Sequence, residues 1–321
     1  MRVFVTGATG FLGGRLARLL RQRGDEVVAL ARSPSRAAAL AGLGCKLVTG
    51  DLGAIPAGSV AGCDLVVHAA AVYKVGVRPS EAAAMHDANV AGTGRVIDAA
   101  VEAGVPRILY VSTVNAFGDT HREVVDESYG RDLSSGFLSV YDETKYLAHE
   151  LARERAAAGA PVVIAMPGGI YGPGDTSQLG EQIRGAMTGK LRYLSFPTLG
   201  LNAGYVDDIA AGLLLVAERG ATGTSYVLGG EITTMRTLIE AAGAAAGRRP
   251  PRLTMPGLAV KALAPLAPLL GPALGLPPNL RETIRALDGV TYWATDAKAR
   301  RELGYEGRTL AQGMADLASA G

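Results

Sequence analysis

Cysteine is scarce in this chain of 321 residues, and the two present, Cys45 and Cys63, sit within or beside apolar runs. A disulfide framework or a zinc cluster needs more ligands at tighter spacing, so both read as reduced packing residues. Histidine is sparse as well. His68, His86, His121 and His149 form no H-E-x-x-H or related pattern, and no metal site is expected. Charge of one sign is also missing: 32 Lys and Arg face 30 Asp and Glu, a net charge of +2 with the basic residues scattered. That balance argues against a nucleic-acid-binding stripe or a polybasic membrane tail. An uninterrupted apolar run of about 20 residues, as a bilayer requires, is absent too. The most apolar stretch, 253–278, is broken by Pro256, Pro265, Pro268, Pro272, Pro277 and Pro278 and carries Lys261. It reads as a buried or pocket-lining helical segment, with lipid contact as the alternative. The chain opens directly on a strand-like run, Met1-Arg-Val-Phe-Val5, without a signal-peptide pattern, so a cytoplasmic location is expected.

What the chain does have is core. It is 48% hydrophobic and 19% charged, enough apolar material for a nucleotide-binding domain and a smaller second lobe. Short β-branched runs alternate with amphipathic stretches over the first 165 or so residues. The pattern predicts strands at 2–6, 26–31, 46–49, 64–69, 107–113 and 162–166, and helices at 11–23, 83–103 and 138–158. Strands apolar on both parities fit a parallel sheet covered on both faces, a doubly wound α/β (Rossmann) fold. After Met166 comes a Gly/Pro-rich stretch, 167–175, followed by more irregular segments. A helix at 206–219 and a strand at 225–228 read as a return to the sheet, and the chain from Glu231 onward reads as helical with Pro-rich interruptions. The expected organisation is a cofactor domain of residues 1–166, rejoined by 204–230, and a smaller, mostly helical substrate lobe from 167–203 and 231–321.

Two clusters carry chemistry. The first follows the opening strand, where Gly7, Gly10 and Gly13 are spaced G-x-x-G-x-x-G ahead of a helix. Glycines there permit a tight turn, close backbone approach to a pyrophosphate and close helix–strand packing, with the helix N-terminus facing the anion. The second is Tyr141-Asp-Glu-Thr-Lys145, the one Y-x-x-x-K among eleven tyrosines and six lysines. It places a phenol and an ammonium one helical turn apart. A free phenol titrates near pKa 10; a nearby cation, together with a positive nicotinamide ring, would stabilise the phenolate and bring it toward the range of a general acid–base.

Together these clusters resemble the short-chain dehydrogenase/reductase superfamily. Asp51-Leu52, His68-Ala-Ala70, Asn89-Val-Ala-Gly-Thr93, Gly168–Asp175 (GGIYGPGD) and Val206-Asp-Asp-Ile209 extend the resemblance to the extended branch over essentially the whole chain. The sequence is most similar there to the dihydroflavonol-reductase-like group and its bacterial relatives described as sugar epimerases, within the NAD-dependent epimerase/dehydratase family. The resemblance implies that Gly7, Gly10, Phe11 and Leu12 line the pyrophosphate and that Asp51 and Leu52 hold the adenine. It further implies that Ala69, Ala70, Pro167, Gly169 and Ile170 border the cofactor, together with Tyr141 and Lys145. By the same resemblance Thr113 is the third catalytic residue, orienting the substrate oxygen toward Tyr141, with Ser112 as the fallback. Asn89 is either a contributor through the helix backbone or a water relay, or a plain packing residue. A small-molecule substrate and a homodimer are expected.

Cofactor choice is argued from charge. An acidic residue about 20 positions past the glycine turn would bind both ribose hydroxyls and repel a 2′-phosphate. Strand two instead runs out into Ala31-Arg32-Ser-Pro-Ser-Arg36 with no carboxylate, which favours NADP over NAD, with NAD still possible. Nucleotide-sugar enzymes of this resemblance carry Arg-Pro-x-Asn where this chain has Met166-Pro-Gly-Gly169, and a dehydratase would carry an acidic pair where it has Val114-Asn115. These departures favour a reductase or alcohol dehydrogenase acting on an uncharged or lipophilic substrate. The alternatives are an NAD-dependent sugar or nucleotide-sugar epimerase that recycles its hydride, and a catalytically inactive cofactor-binding protein.

Overall fold

The computed structural model describes residues 1–56, 58–251, 253–254 and 277–319. Six strands, β1 (Arg2–Thr6), β2 (Glu26–Ala31), β3 (Lys46–Thr49), β4 (Leu65–His68), β5 (Ile108–Val111) and β6 (Val162–Pro167), join β9 (Ser225–Leu228) in one sheet. Its order is β3-β2-β1-β4-β5-β6-β9 and every pairing is parallel. The strand order reverses between β1 and β4, and a crevice forms there at the carboxyl ends of the strands.

Strand alternation assigns side chains to the two faces. Phe4, Val28, Val66, Ile108, Tyr110 and Ile164 belong to one apolar core, shared with Val96 and Ile97 of helix α4 (Gly92–Glu102) and Ala148 and Ala152 of helix α5 (Val140–Ala157). Val3, Val5, Val27, Leu65, Leu109 and Val163 belong to the other, with Leu16 and Leu20 of α1 (Phe11–Gln22) and Leu213 and Val216 of α7 (Val206–Arg219). Burial on both faces explains why these strands read as continuous apolar runs.

The helix expected at 83–103 begins earlier and is not uniform. It starts as α3 (Pro79–His86), with Pro79 at its first position and the Glu81 carboxylate accepting from the Arg78 N–H at 2.9 Å. It then widens into a π turn at Asp87–Ala91 before continuing as α4. The helix expected from 138 starts at Val140 because the Ser139 hydroxyl caps it, accepting from the Asp142 N–H.

The expectation of irregular chain at 167–203 and of helix alone after 231 is corrected by a second sheet, ordered β10-β8-β7, of β7 (Gly169–Tyr171), β8 (Gly200–Tyr205) and β10 (Glu231–Thr234). β8 has the sequence Gly-Leu-Asn-Ala-Gly-Tyr and carries no β-branched residue. Its pairing depends on close backbone approach rather than propensity: a Cβ on Gly230 would fall 1.9 Å from the Ala203 carbonyl oxygen. Around this sheet lie α6 (Gln178–Met187), α8 (Met235–Ala245) and α11 (Leu310–Ser319), with α9 (Leu280–Leu287) and α10 (Ala297–Leu303) between them in sequence. α2 (Ala38–Gly42) is a short connection before β3. Most of the proline-punctuated segment expected to line a pocket, residues 255–276, lies outside the described residues. Among the described residues no helix is long and apolar enough to cross a membrane.

Candidate active site

The glycine turn closes at the carboxyl end of β1. Gly7 has φ +75°, and a Cβ there would meet the Ala69 and Ala70 backbone at 2.6–2.8 Å, so no other residue fits. A Cβ on Gly13 would fall 2.2 Å from the Gly7 carbonyl oxygen, which is the close helix–strand packing the spacing predicts. Gly10 caps α1 with no side-chain hydrogen bond, and no acidic residue lies in the first turn. The N–H groups of Phe11 and Leu12 are therefore presented at a helix N-terminus without a competing anion, a cradle that fits a diphosphate. Asp51 is exposed and turns back to accept from the Gly53 N–H at 2.8 Å, while the Leu52 carbonyl accepts from Arg95 at 2.5 Å. Arg32, past the end of β2, is exposed and has no hydrogen-bond or ion-pair partner among the described residues.

Between β1 and β4 runs a buried hydrogen-bond chain whose direction is fixed. The Ala70 N–H donates to Thr6 Oγ1 at 3.3 Å, and Nδ1 of His68 lies 2.7 Å from the same hydroxyl. Thr93 donates its one hydroxyl proton to the Asn89 carbonyl at 2.7 Å, so it must accept from Nε2 of His68 at 3.0 Å. His68 is thereby held as the neutral tautomer with its proton on Nε2. Full burial, with the Lys145 charge adding to it, holds its pKa down to about 3. Asn89 sits on the π turn, and its amide donates to the Val72 carbonyl and to Thr144 Oγ1, both at 3.0 Å, while its Oδ1 accepts from the Val72 N–H. Thr144 in turn donates to the Tyr141 carbonyl at 3.0 Å. Of the two readings of Asn89, its side chain fits the packing one: it ties the 72 loop to the first turn of α5.

Tyr141 and Lys145 lie in that first part of α5, and both are buried. Tyr141 packs with Val77 and Met85 and meets the Tyr73 ring edge-on, centroids 4.7 Å apart. Burial pushes the Tyr141 phenol well above its usual value, with the Tyr73, Tyr110 and Asp142 oxygens adding to the effect and the Thr113 hydroxyl opposing it. The Lys145 ammonium is directed elsewhere, donating to Tyr110 Oη and to the Val111 carbonyl at 3.2 Å each. Tyr110 also stacks on His68, ring centroids 5.7 Å apart, which joins the two ends of the site.

The two hydroxyls at the end of β5 diverge. Thr113 caps a 3-10 turn (Val114–Phe117), accepting from the Asn115 N–H and donating to Asn115 Oδ1 at 3.0 Å. Ser112 points the other way, to Nδ1 of the buried His149 at 3.0 Å. Sequence reasoning missed two elements here, the Asn115 partner of Thr113 and the aromatic lid of Tyr73 over Tyr141. The first is a local contact within one turn, and the second arises only where the chain at 73 meets α5.

Beside this cluster is a cavity of about 150 Å3. Tyr73, Asn115 and Gly169 line it together with Leu199, Met235 and Tyr292. No charged side chain lines it among the described residues. Pro167 ends β6, and Ile170 lies on β7 next to Gly169, which lines the cavity. Among the described residues no group of His, Cys, Asp or Glu is placed to hold a metal ion, and both cysteines are buried and free.

Comparison with known proteins adds the lineage. Residues 3–229 match the family described as the NAD dependent epimerase/dehydratase family. The chain is 34% identical to the 4-hydroxy-2-methyl-3-oxo-4-farnesyl-3,4-dihydroquinoline-1-oxide ketoreductase of Stigmatella aurantiaca, covering 100% of this chain and 97% of the relative. It is 33% identical to a dihydroflavonol 4-reductase-like protein of Synechocystis, over 98% of this chain and 92% of the relative. Among solved structures, gox2253 superposes with a TM-score of 0.82 at 31% identity, covering 99% and 96% of the two chains. A nucleoside-diphosphate-sugar epimerase of Pseudomonas aeruginosa, PA4631, superposes with a TM-score of 0.76 at 27% identity over 99% and 96%.

Proposed function

Because this chain belongs to the NAD-dependent epimerase/dehydratase family and is an extended short-chain dehydrogenase/reductase enzyme that uses NAD(P), we propose that it is a net oxidoreductase. In this reading it uses NADP(H) to reduce a carbonyl, or oxidise the corresponding alcohol, on an uncharged, largely apolar small molecule. The observation that carries the reading is the cavity beside Tyr141, whose described lining has no charged side chain. A nucleotide-sugar diphosphate would need cationic partners there, because an unpaired buried anion is costly. The S. aurantiaca ketoreductase, named for a farnesylated quinoline substrate, supports the same direction.

The bound cofactor would supply or accept a hydride at its nicotinamide carbon. Gly7, Gly10, Phe11 and Leu12 would hold its diphosphate, Asp51, Leu52, Ala69 and Ala70 its adenine side, and Pro167, Gly169 and Ile170 would border the nicotinamide. Arg32, exposed and unpartnered, is available for a 2′-phosphate. Tyr141 would move the proton at the substrate oxygen, with Thr113 orienting that oxygen and Lys145 contacting the ribose. Residues 167–203 and 231–321 would form the substrate lobe; β7, α6, β8 and α8 all contribute walls to the cavity. Assembly as a homodimer and a cytoplasmic location belong to the same proposal.

A second reading, an epimerase that returns its hydride, draws on the family description and the PA4631 likeness. A screen of ketones, aldehydes and nucleotide sugars separates the two when both product and cofactor absorbance are followed. The reductase reading expects NADPH loss with ketones and none with nucleotide sugars. Sugar isomer formation at constant absorbance would reverse the assignment.

A further inference from the structure

The cavity beside Tyr141 contains one feature that a purely apolar substrate would leave unexplained. Helix α6 turns Gln178, Leu179 and Gln182 into it, at the i, i+1 and i+4 positions that share a helix face. The side-chain oxygen of Gln182 is buried there and accepts no hydrogen bond among the described residues. Buried acceptors are almost always paired, and one that is not loses its water without replacement. The two asparagine amides at this wall are occupied, while Gln178 is exposed. Asn202 donates to the Ala294 carbonyl and accepts from the Ala294 N–H at 3.2 Å, and Asn115 is bonded to Thr113.

We propose that Gln182 is a specificity-determining residue, accepting a hydrogen bond from a neutral donor on the substrate, a hydroxyl or an N–H set apart from the reacting carbonyl. The substrate class is then a hydroxylated or N–H-bearing apolar ketone, or its alcohol, rather than a plain hydrocarbon ketone. The donor is neutral because no lining carboxylate is present to balance an ammonium. The group enters the cavity itself: about 150 Å3 holds on the order of five water molecules and is smaller than most whole-ligand pockets. The enclosed space therefore receives one end of the molecule while Tyr141 and Thr113 meet the carbonyl beside it. The assignment rests on the reductase reading for the reacting end, but the anchor itself is a binding claim.

The test uses the full chain with NADPH and a series of aryl-alkyl ketones. Each carries a hydroxyl at increasing distance from the carbonyl and is paired with its deoxy parent and its methyl ether. Kd is measured by calorimetry and kcat/KM by NADPH oxidation. A site built to pair a buried polar group discriminates strongly against the analogue lacking it. At least one hydroxyl-bearing member should therefore bind about 10-fold or more tighter than its parent and its ether. In Gln182→Met, which keeps the volume and removes the acceptor, that advantage should vanish, the KM of the hydroxyl-bearing member rising to that of its parent. Gln182→Leu serves if the methionine variant does not fold. Equal wild-type affinity across every hydroxyl, parent and ether set overturns the anchor, as does an advantage that survives in the variant. If calorimetry shows the advantage but no NADPH is consumed, the anchor stands and the reductase reading fails.

Discussion

The Thr6 hydroxyl and Nδ1 of His68 stand 2.7 Å apart across 62 positions of sequence, joining the residue before the glycine turn to the end of β4. With the ring held neutral by burial and its proton on Nε2, Nδ1 accepts there from the Thr6 hydroxyl. Through Thr93, Asn89 and Thr144 the same chain of bonds reaches the Tyr141 backbone. The cofactor end and the catalytic end of the site are thus held by one buried polar network.

This network has an acid limit. The His68 pKa is lowered to about 3 in the folded chain against an ordinary value near 6.5. A group depressed on folding gives stability that is fully present above its unfolded pKa and is lost as pH falls from about 6.5 toward 3. His149, held by Ser112, is also lowered to about 3 and adds its own share. Urea unfolding of the wild type should show stability falling over that window. His68→Gln should be destabilised by about 1–3 kcal/mol at pH 7, because Thr6 or Thr93 is left with a poorer partner, and should show a shallower acid slope. An unchanged slope would mean that His68 is not buried as a neutral group.

Tyr141→Phe removes only the phenol oxygen. Turnover should fall by 10²-fold or more, with NADPH affinity retained within about 2-fold, since general acid–base catalysis contributes on that scale. Steady-state kinetics together with fluorescence titration of the cofactor check both parts. Activity above roughly a tenth of wild type would remove Tyr141 from the proton-transfer step.

Ser112 and Thr113 should separate by phenotype. Thr113 lies beside the Tyr141 phenol, so Thr113→Ala should lower kcat/KM by about 10²-fold with a modest change in melting temperature. Ser112 bonds to His149 in the core, so Ser112→Ala should cost about 1–2 kcal/mol of stability and little activity. Equal kinetic losses would show that both hydroxyls act on the substrate.

These residues also mark what the sequence could and could not tell. The glycine turn was legible because strand, turn and helix are local, and backbone geometry restricts what fits at Gly7. The sheet was legible because strands buried on both faces are apolar at every position. β8 was not, since Gly-Leu-Asn-Ala-Gly-Tyr has neither β-branched residues nor alternation, and its pairing depends on contacts with distant chain. The Tyr141–Lys145 spacing was visible, but the direction of the Lys145 ammonium was not. That direction is set by Tyr110 and Val111, which α5 meets only after packing on β5.

Cofactor preference should depend on Arg32. A charge-assisted hydrogen bond is worth roughly 1.5–3 kcal/mol, or about 10- to 150-fold in affinity. Arg32→Ala should weaken NADPH by that factor and leave NADH nearly unchanged, and Ala31→Asp should reverse the preference. Paired dissociation constants at fixed ionic strength decide it. Equal weakening of both cofactors would reduce Arg32 to a surface charge.

The central claim is net hydride transfer to an uncharged carbonyl. Its most direct measurement is the fate of deuterium from NADPH labelled at the transferable position of the nicotinamide, followed with a ketone found to be turned over. The account predicts one NADPH consumed per alcohol formed, with the deuterium on the carbinol carbon. Product formed without loss of NADPH, or with the label retained on the cofactor, would contradict it and return the chain to the epimerase reading.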